Sequence, residues 1–134
     1  MGEDADPFRG FRLLLVEDEP LVLMSLQDVV ENLGCVVVGT ASSLSEALAA
    51  IDTGSAFDAA LLDVQVGREK IWPAADRLMS LSIPFAFLSG YTKSGIEARF
   101  LSMPIIDKPF SDAAVKSAVL ALCAAAGQKS GMTP

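Results

Sequence analysis

Histidine is absent from all 134 residues, and its absence removes whole classes of chemistry. Without imidazole there is no Ser-His-Asp or Cys-His catalysis, no histidine-bearing zinc site and no phosphohistidine donor. Cysteine is scarce. Cys35 lies in an apolar strand-like run and Cys123 in an apolar helix-like run, with no partner at metal-ligand or redox spacing, so both read as reduced core residues. Positive charge is also short: ten Lys and Arg stand against seventeen Asp and Glu, a net charge of −7. That balance repels a phosphate backbone, no basic stripe offsets it locally, and nucleic-acid binding is not expected. Apolar runs such as Val119 to Ala126 fall well short of the roughly 20 residues that cross a bilayer. The acidic start, Met1 to Asp6, lacks the basic and apolar regions of a secretory signal. No membrane partner and a cytoplasmic location are therefore expected, with any chemistry resting on carboxylates, hydroxyls and lysine.

Half of the residues are hydrophobic and a fifth are charged, which excludes intrinsic disorder and favours strands buried on both faces. The polar, Gly/Pro/Ser-containing ends suggest a flexible leader at 1–10, a single domain at 11–126 and a flexible tail at 127–134. Strand-like apolar runs fall at Arg12–Val16, Cys35–Thr40, Ala59–Leu62, Phe85–Leu88 and Met103–Ile106. Helical patterns alternate with them. The first runs from Pro20 to Leu33, with Val22, Leu26, Val29, Val30 and Leu33 on one face and Gly34 as its stop. A second opens on Ser43 and Glu46, spaced as a capping box, and Gly54 ends it. A third starts near Trp72–Pro73, a weak fourth covers Thr92–Arg99, and a fifth gathers Val115, Ala118, Val119 and Leu122. Such alternation predicts an α/β fold with a five-stranded parallel sheet between two helical layers, whose ligands bind beyond the C-terminal strand ends.

Those ends carry Glu17 and Asp18, then Asp63, Ser89 and Lys108. Carboxylates crowded together raise one another's pKa unless a cation neutralises them. Magnesium suits an oxygen-only donor set, whereas zinc lacks its usual ligands here. A carboxylate that attacks a phosphoryl group needs positioned oxygens and neutralised charge, which a metal, a hydroxyl and an ammonium supply together. In this reading Asp63 is the nucleophile, Asp18 a metal ligand, Glu17 a second acid acting through water, Ser89 a donor to a phosphoryl oxygen and Lys108 a counter-charge. Taken singly, each acid could equally be a solvated strand-end residue.

The sequence resembles the receiver domains of two-component response regulators from Phe11 to Ala126, on LLLVEDE, LLDV, FLSGY and DKPF in that order. The resemblance implies a flavodoxin-like (βα)5 fold, magnesium-dependent phosphorylation of Asp63 by a histidine kinase or histidine phosphotransfer protein, and a metal site of Glu17, Asp18, Asp63 and the backbone carbonyl of Gln65. It also implies a cis Lys108–Pro109 bond. PFAFLSGY, GREKIWPAADRL and IDKPF look like the single-domain subgroup named for its Phe-Ala-Thr-Gly-Tyr motif, with Ser89 in place of the threonine. The output is then a protein–protein interaction with an unspecified target, or a phosphate sink.

The chain departs from the family at Ile105, where many receivers carry an aromatic residue that swings on phosphorylation. Tyr91 is either a substitute reporter or a partly buried tyrosine with a satisfied hydroxyl. Trp72 is either a partner anchor or a cap on the third helix. Three other readings compete with the switch. A small magnesium-dependent phosphohydrolase lacks a second carboxylate close after Asp63, and a flavodoxin-like cofactor binder lacks a Gly-rich loop after the first strand. A degenerate receiver that binds without phosphorylation is the third.

Overall fold

The computed structural model describes residues 6–53, 56–90 and 95–131. In chain order the elements are β1 (Arg12–Val16), α1 (Pro20–Leu33), β2 (Val36–Ala41), α2 (Leu44–Asp52), β3 (Ala59–Asp63), a hairpin of β4 (Gln65–Val66) and β5 (Glu69–Lys70), α3 (Trp72–Ser80), β6 (Phe85–Ser89), β7 (Ile105–Asp107) and α4 (Asp112–Gly131). Five strands pair in parallel in the order β2-β1-β3-β6-β7. The chain therefore steps outward from β1 to β2 and then back across to β3. This reversal opens a crevice at the C-terminal ends of β1 and β3.

Buried strand residues alternate between two cores, as the two-residue period of a strand requires. Leu14, Val16, Leu62, Phe85 and Phe87 pack toward α2 and α3, while Leu13, Leu15, Leu61, Leu88 and Ile106 pack toward α1 and α4. Every residue of β3 and β6 is buried, and at about 1.5 to 3 kcal/mol for each large side chain these two strands anchor the fold. The outer strand β2 carries one extra residue, Val38, between the Leu13–Val37 and Leu14–Gly39 pairs. A bulge there twists an otherwise open edge away from further pairing.

Local signals explain most element ends. Pro20 opens α1, and Gly34 closes it in the left-handed region at φ 112°, donating its N–H to Val30 and Glu31 carbonyls. The Ser43 side chain accepts the Glu46 N–H at 3.1 Å. Glu46 does not complete the reciprocal box with its cap, because its carboxylate takes the N–H and hydroxyl of Ser42 instead. Ser111 caps α4 by accepting the Ala114 N–H at 3.1 Å.

Several boundaries differ from expectation. α2 ends at Asp52, and the expected stop, Gly54, lies outside the described residues. Residues 92–94 of the expected fourth helix are also outside them; of the rest, Ala98 and Arg99 form a single 3-10 turn with Phe100. The fold thus has four described α-helices. Phe8 is buried, and α4 runs from Asp112 through Gly131. The hairpin was not expected at all. Among the described residues no helix is long and apolar enough to cross a membrane.

Candidate functional site

Parallel register brings the strand ends to one level. Asp63 is the last residue of β3 and pairs with Leu88, and Ser89 ends β6 opposite Asp107. Lys108 follows β7 directly and is tied back to β6 by a 2.8 Å bond from its N–H to the Ser89 carbonyl. Glu17 and Asp18 follow β1, where the Glu17 N–H bonds the Ala41 carbonyl of β2. The Lys108–Pro109 bond is cis, as the resemblance implied.

The carboxylates of Glu17, Asp18 and Asp63 each place an oxygen within 4.8 Å of the others. Glu17 is wholly buried and Asp63 nearly so, while Asp18 is partly open. Lys108 Nζ sits among them, 3.1 Å from Glu17 Oε1, 3.2 Å from Asp63 Oδ2 and 3.7 Å from Glu19 Oε1. Burial pushes the Glu17 carboxyl up to about 7; the Glu19 N–H and Lys108 pull it down, while the nearby Asp63 adds to the rise. Burial would lower the Lys108 ammonium, but its bonds to Glu17 and the charge of Asp63 outweigh this and hold it above its ordinary value. One ammonium thus stands against several carboxylates. That residual negative charge, on oxygen donors alone, fits a hard divalent cation.

The acids border an open cavity of about 550 Å³, lined by Asp18, Glu19, Asp63, Val64, Gln65, Gly67, Gly90 and Lys108. Ser89 is buried beside this lining, at the end of β6. Tyr91 lies outside the described residues. Trp72 is half-buried and stacks on Phe100 at 5.4 Å, so its indole packs in the core on the α3 side.

Sequence reasoning missed the β4–β5 hairpin, which walls the cavity. Gly67 donates its N–H to Asp18 Oδ2 at 2.9 Å, and the Gln65 N–H points to Asp63 Oδ1 at 3.3 Å. The Gln65 side chain is engaged on the hairpin itself, accepting from Lys70 Nζ at 3.0 Å and facing the Gly67 carbonyl. Gly67, followed by the charged run Arg68–Lys70, was the one legible signal of a tight turn, and it holds φ 62°.

Comparison with known proteins agrees with this geometry. The response regulator receiver domain family model matches residues 13–120. The phyllosphere-induced regulator PhyR of Methylorubrum extorquens is 30% identical over 115 residues, which are 80% of this chain and 41% of that protein. The chain thus spans about two fifths of the length of this curated relative. The solution structure of SdrG from Sphingomonas melonis Fr1 is 40% identical, with a TM-score of 0.75 over 84% of this chain and 96% of that one. A BeF3-activated conformation of SdrG, from Pseudomonas melonis Fr1, is 36% identical with a TM-score of 0.73 over 86% and 98% of the two chains. A flavodoxin-like sheet that gathers an acidic cluster and a lysine at its C-terminal edge, matched along most of its length by one family, belongs to the response regulator receiver domains of two-component signalling.

Proposed function

We propose that this chain is a phosphorylation-controlled switch in which Asp63 accepts a phosphoryl group from a histidine kinase or histidine phosphotransfer protein. The observation that carries this reading is the triad of carboxylates within 4.8 Å, with Lys108 Nζ 3.2 Å from Asp63 Oδ2. An Asp63 oxygen attacks phosphorus, the donor's P–N bond breaks, and the imidazole leaves with its electron pair. Lys108 offsets charge on the transferring group, and the Ser89 hydroxyl donates to one of its oxygens. When bound, magnesium supplies further positive charge at the phosphoryl oxygens, held by Asp18, Asp63, the Gln65 backbone carbonyl and, through water, Glu17.

Hairpin register supports the Gln65 assignment. The Ile71 N–H bonds the Val64 carbonyl, so in antiparallel alternation the next pair, Gln65 with Lys70, is a non-bonded one. Gln65 therefore turns both its N–H and its C=O away from β5, and the N–H meets Asp63. A complete set of acids with a paired lysine argues against a degenerate receiver. Against a phosphohydrolase, Asp63 is followed by Val64, Gln65, Val66 and Gly67, with no acid–base partner among them.

The run PFAFLSGY, with Ser89 in place of the threonine, supports a reading as a member of the Phe-Ala-Thr-Gly-Tyr subgroup that acts in the cytoplasm on a downstream protein. A donor must reach Asp63 from the cavity mouth. Leu21, exposed on α1, together with Val22, Pro109 and Phe110 borders an adjoining apolar groove that shares Lys108 with the cavity and suits the donor's helical face. Intact-mass analysis after incubation with acetyl phosphate tests the reading. Addition of one phosphoryl group is expected with magnesium and not without it, and Asp63→Asn abolishes it; a wild-type chain that stays unmodified with both acetyl phosphate and a kinase overturns the proposal.

A further inference from the structure

Phe85, Phe87 and Ser89 share one face of β6, since Ala86 and Leu88 point into the opposite core. Phe85 and Phe87 belong with Phe100 and Trp72 to one connected cluster of four aromatic rings. Phe100 meets Phe87 edge-on at 5.6 Å and Phe85 at 6.1 Å, and the Trp72 indole lies on it at 5.4 Å with an interplanar angle of 24°. Trp72 also touches Phe87 edge-on at 5.7 Å. Phe100 is thus the ring common to β6 and α3, and it is fully buried although it stands in a three-residue turn between β6 and β7.

That turn is fastened to α3 a second time. Arg99 grips Asp76 with two bonds, Nε to Oδ1 at 3.1 Å and Nη2 to Oδ2 at 2.9 Å, and its guanidinium carbon lies 4.5 Å over the Phe100 ring. Ile105, by contrast, sits half-buried in β7 opposite Phe87 and offers only a branched aliphatic side chain. Such a side chain is restricted at χ1 and has no ring to swing.

We infer that Phe100 is a positioning residue that couples the Asp63 site to α3, so that a change at Ser89 passes along β6 into the Phe87–Phe100–Trp72 stack. The inference rests on the phosphoryl-acceptor reading above. Aromatic pairs hold preferred edge-on and offset-stacked geometries, and close-packed interiors rearrange between discrete packings rather than yielding smoothly. A displacement at the Ser89 end of β6 therefore reaches Trp72 and the start of α3 both directly, from Phe87, and through Phe100, whose ring stacks on the indole and touches both phenylalanines of β6. The surface that responds is the one bearing Arg99 and Asp76.

Trp72 is the chain's single tryptophan, so its emission reports this stack alone. The experiment follows Trp72 emission and intact mass in the same samples of full-length protein, with acetyl phosphate and magnesium. Wild type and Ile105→Val are expected to gain the phosphoryl group and change emission together, and Asp63→Asn to do neither. Phe100→Leu should gain the phosphoryl group with an emission change reduced roughly three- to tenfold, the effect of losing an aromatic pair on a two-state equilibrium. Should Phe100→Leu fail to fold by circular dichroism, Asp76→Asn tests the same coupling from the surface and should also weaken it. The coupling is overturned if phosphorylated wild type leaves Trp72 unchanged, if a folded coupling variant keeps the full change, or if Ile105→Val loses it. Absence of phosphoryl addition in wild type instead removes the acceptor reading, and the coupling with it.

Discussion

Glu17 carries an electrostatic penalty, being wholly buried and close to a second carboxylate. Lys108 offsets only part of that penalty, since it also serves Asp63. Glu17→Gln keeps the shape and removes one of the crowded charges. Without a divalent cation this variant should be more stable than wild type by roughly 1 to 3 kcal/mol, measured by denaturant unfolding in chelator at neutral pH. The same change should weaken magnesium binding roughly ten- to hundredfold by calorimetry, as loss of an outer-shell acid does. A variant neither more stable nor weaker in binding would show that Glu17 neither strains the cluster nor helps to hold the metal. The convergence of Glu17, Asp18, Asp63 and Lys108 was legible because strand ends in a parallel sheet converge whatever the intervening helices do. The contacts from Gly67 and Gln65 were not, because they run through backbone N–H groups that carry no sequence signal.

At the scale of elements, residue periodicity located the strands and four helices, since burial imposes it along a whole segment. Two features escaped. Strands of two residues, such as β4 and β5, are too short to show a period, and the end of the expected helix over Thr92–Arg99 is a 3-10 turn that buries Phe100. Turn chemistry is more secure, and Gly34 is the sharpest case. It holds φ 112°, and a Cβ there would meet the Arg9 Cα at 3.4 Å. Gly34→Ala should cost about 1 to 2 kcal/mol in thermal or denaturant unfolding, from backbone strain compounded by that close approach. An unchanged stability would mean that the α1–β2 junction relaxes to a conformation open to other residues.

Across the whole molecule, the two ends of the sheet divide the work. Charge at the C-terminal ends is crowded for chemistry, whereas the N-terminal ends carry a matched pair. Arg12 at the start of β1 gives its N–H and two guanidinium bonds to Asp58, which precedes β3. Partial burial alone would raise the Asp58 carboxyl, but the hydrogen bonds and charge of Arg12 outweigh it and hold the carboxyl below its ordinary value. A depressed carboxyl stabilises the fold above its unfolded pKa and loses that contribution as pH falls through the folded one. Asp58→Asn removes the titrating group and keeps an oxygen for the Arg12 N–H. Its melting temperature should therefore lie below that of wild type at pH 7, with the gap closing as the pH drops below about 3.9. Because Asp58 is at the opposite end of β3 from Asp63, the variant should still accept a phosphoryl group from acetyl phosphate at neutral pH. Glu17→Gln should do the reverse, gaining stability and losing metal affinity. A folded Asp58→Asn chain that no longer takes the phosphoryl group would show that the sheet transmits strain from one end to the other and that stability and chemistry are not separable in this fold.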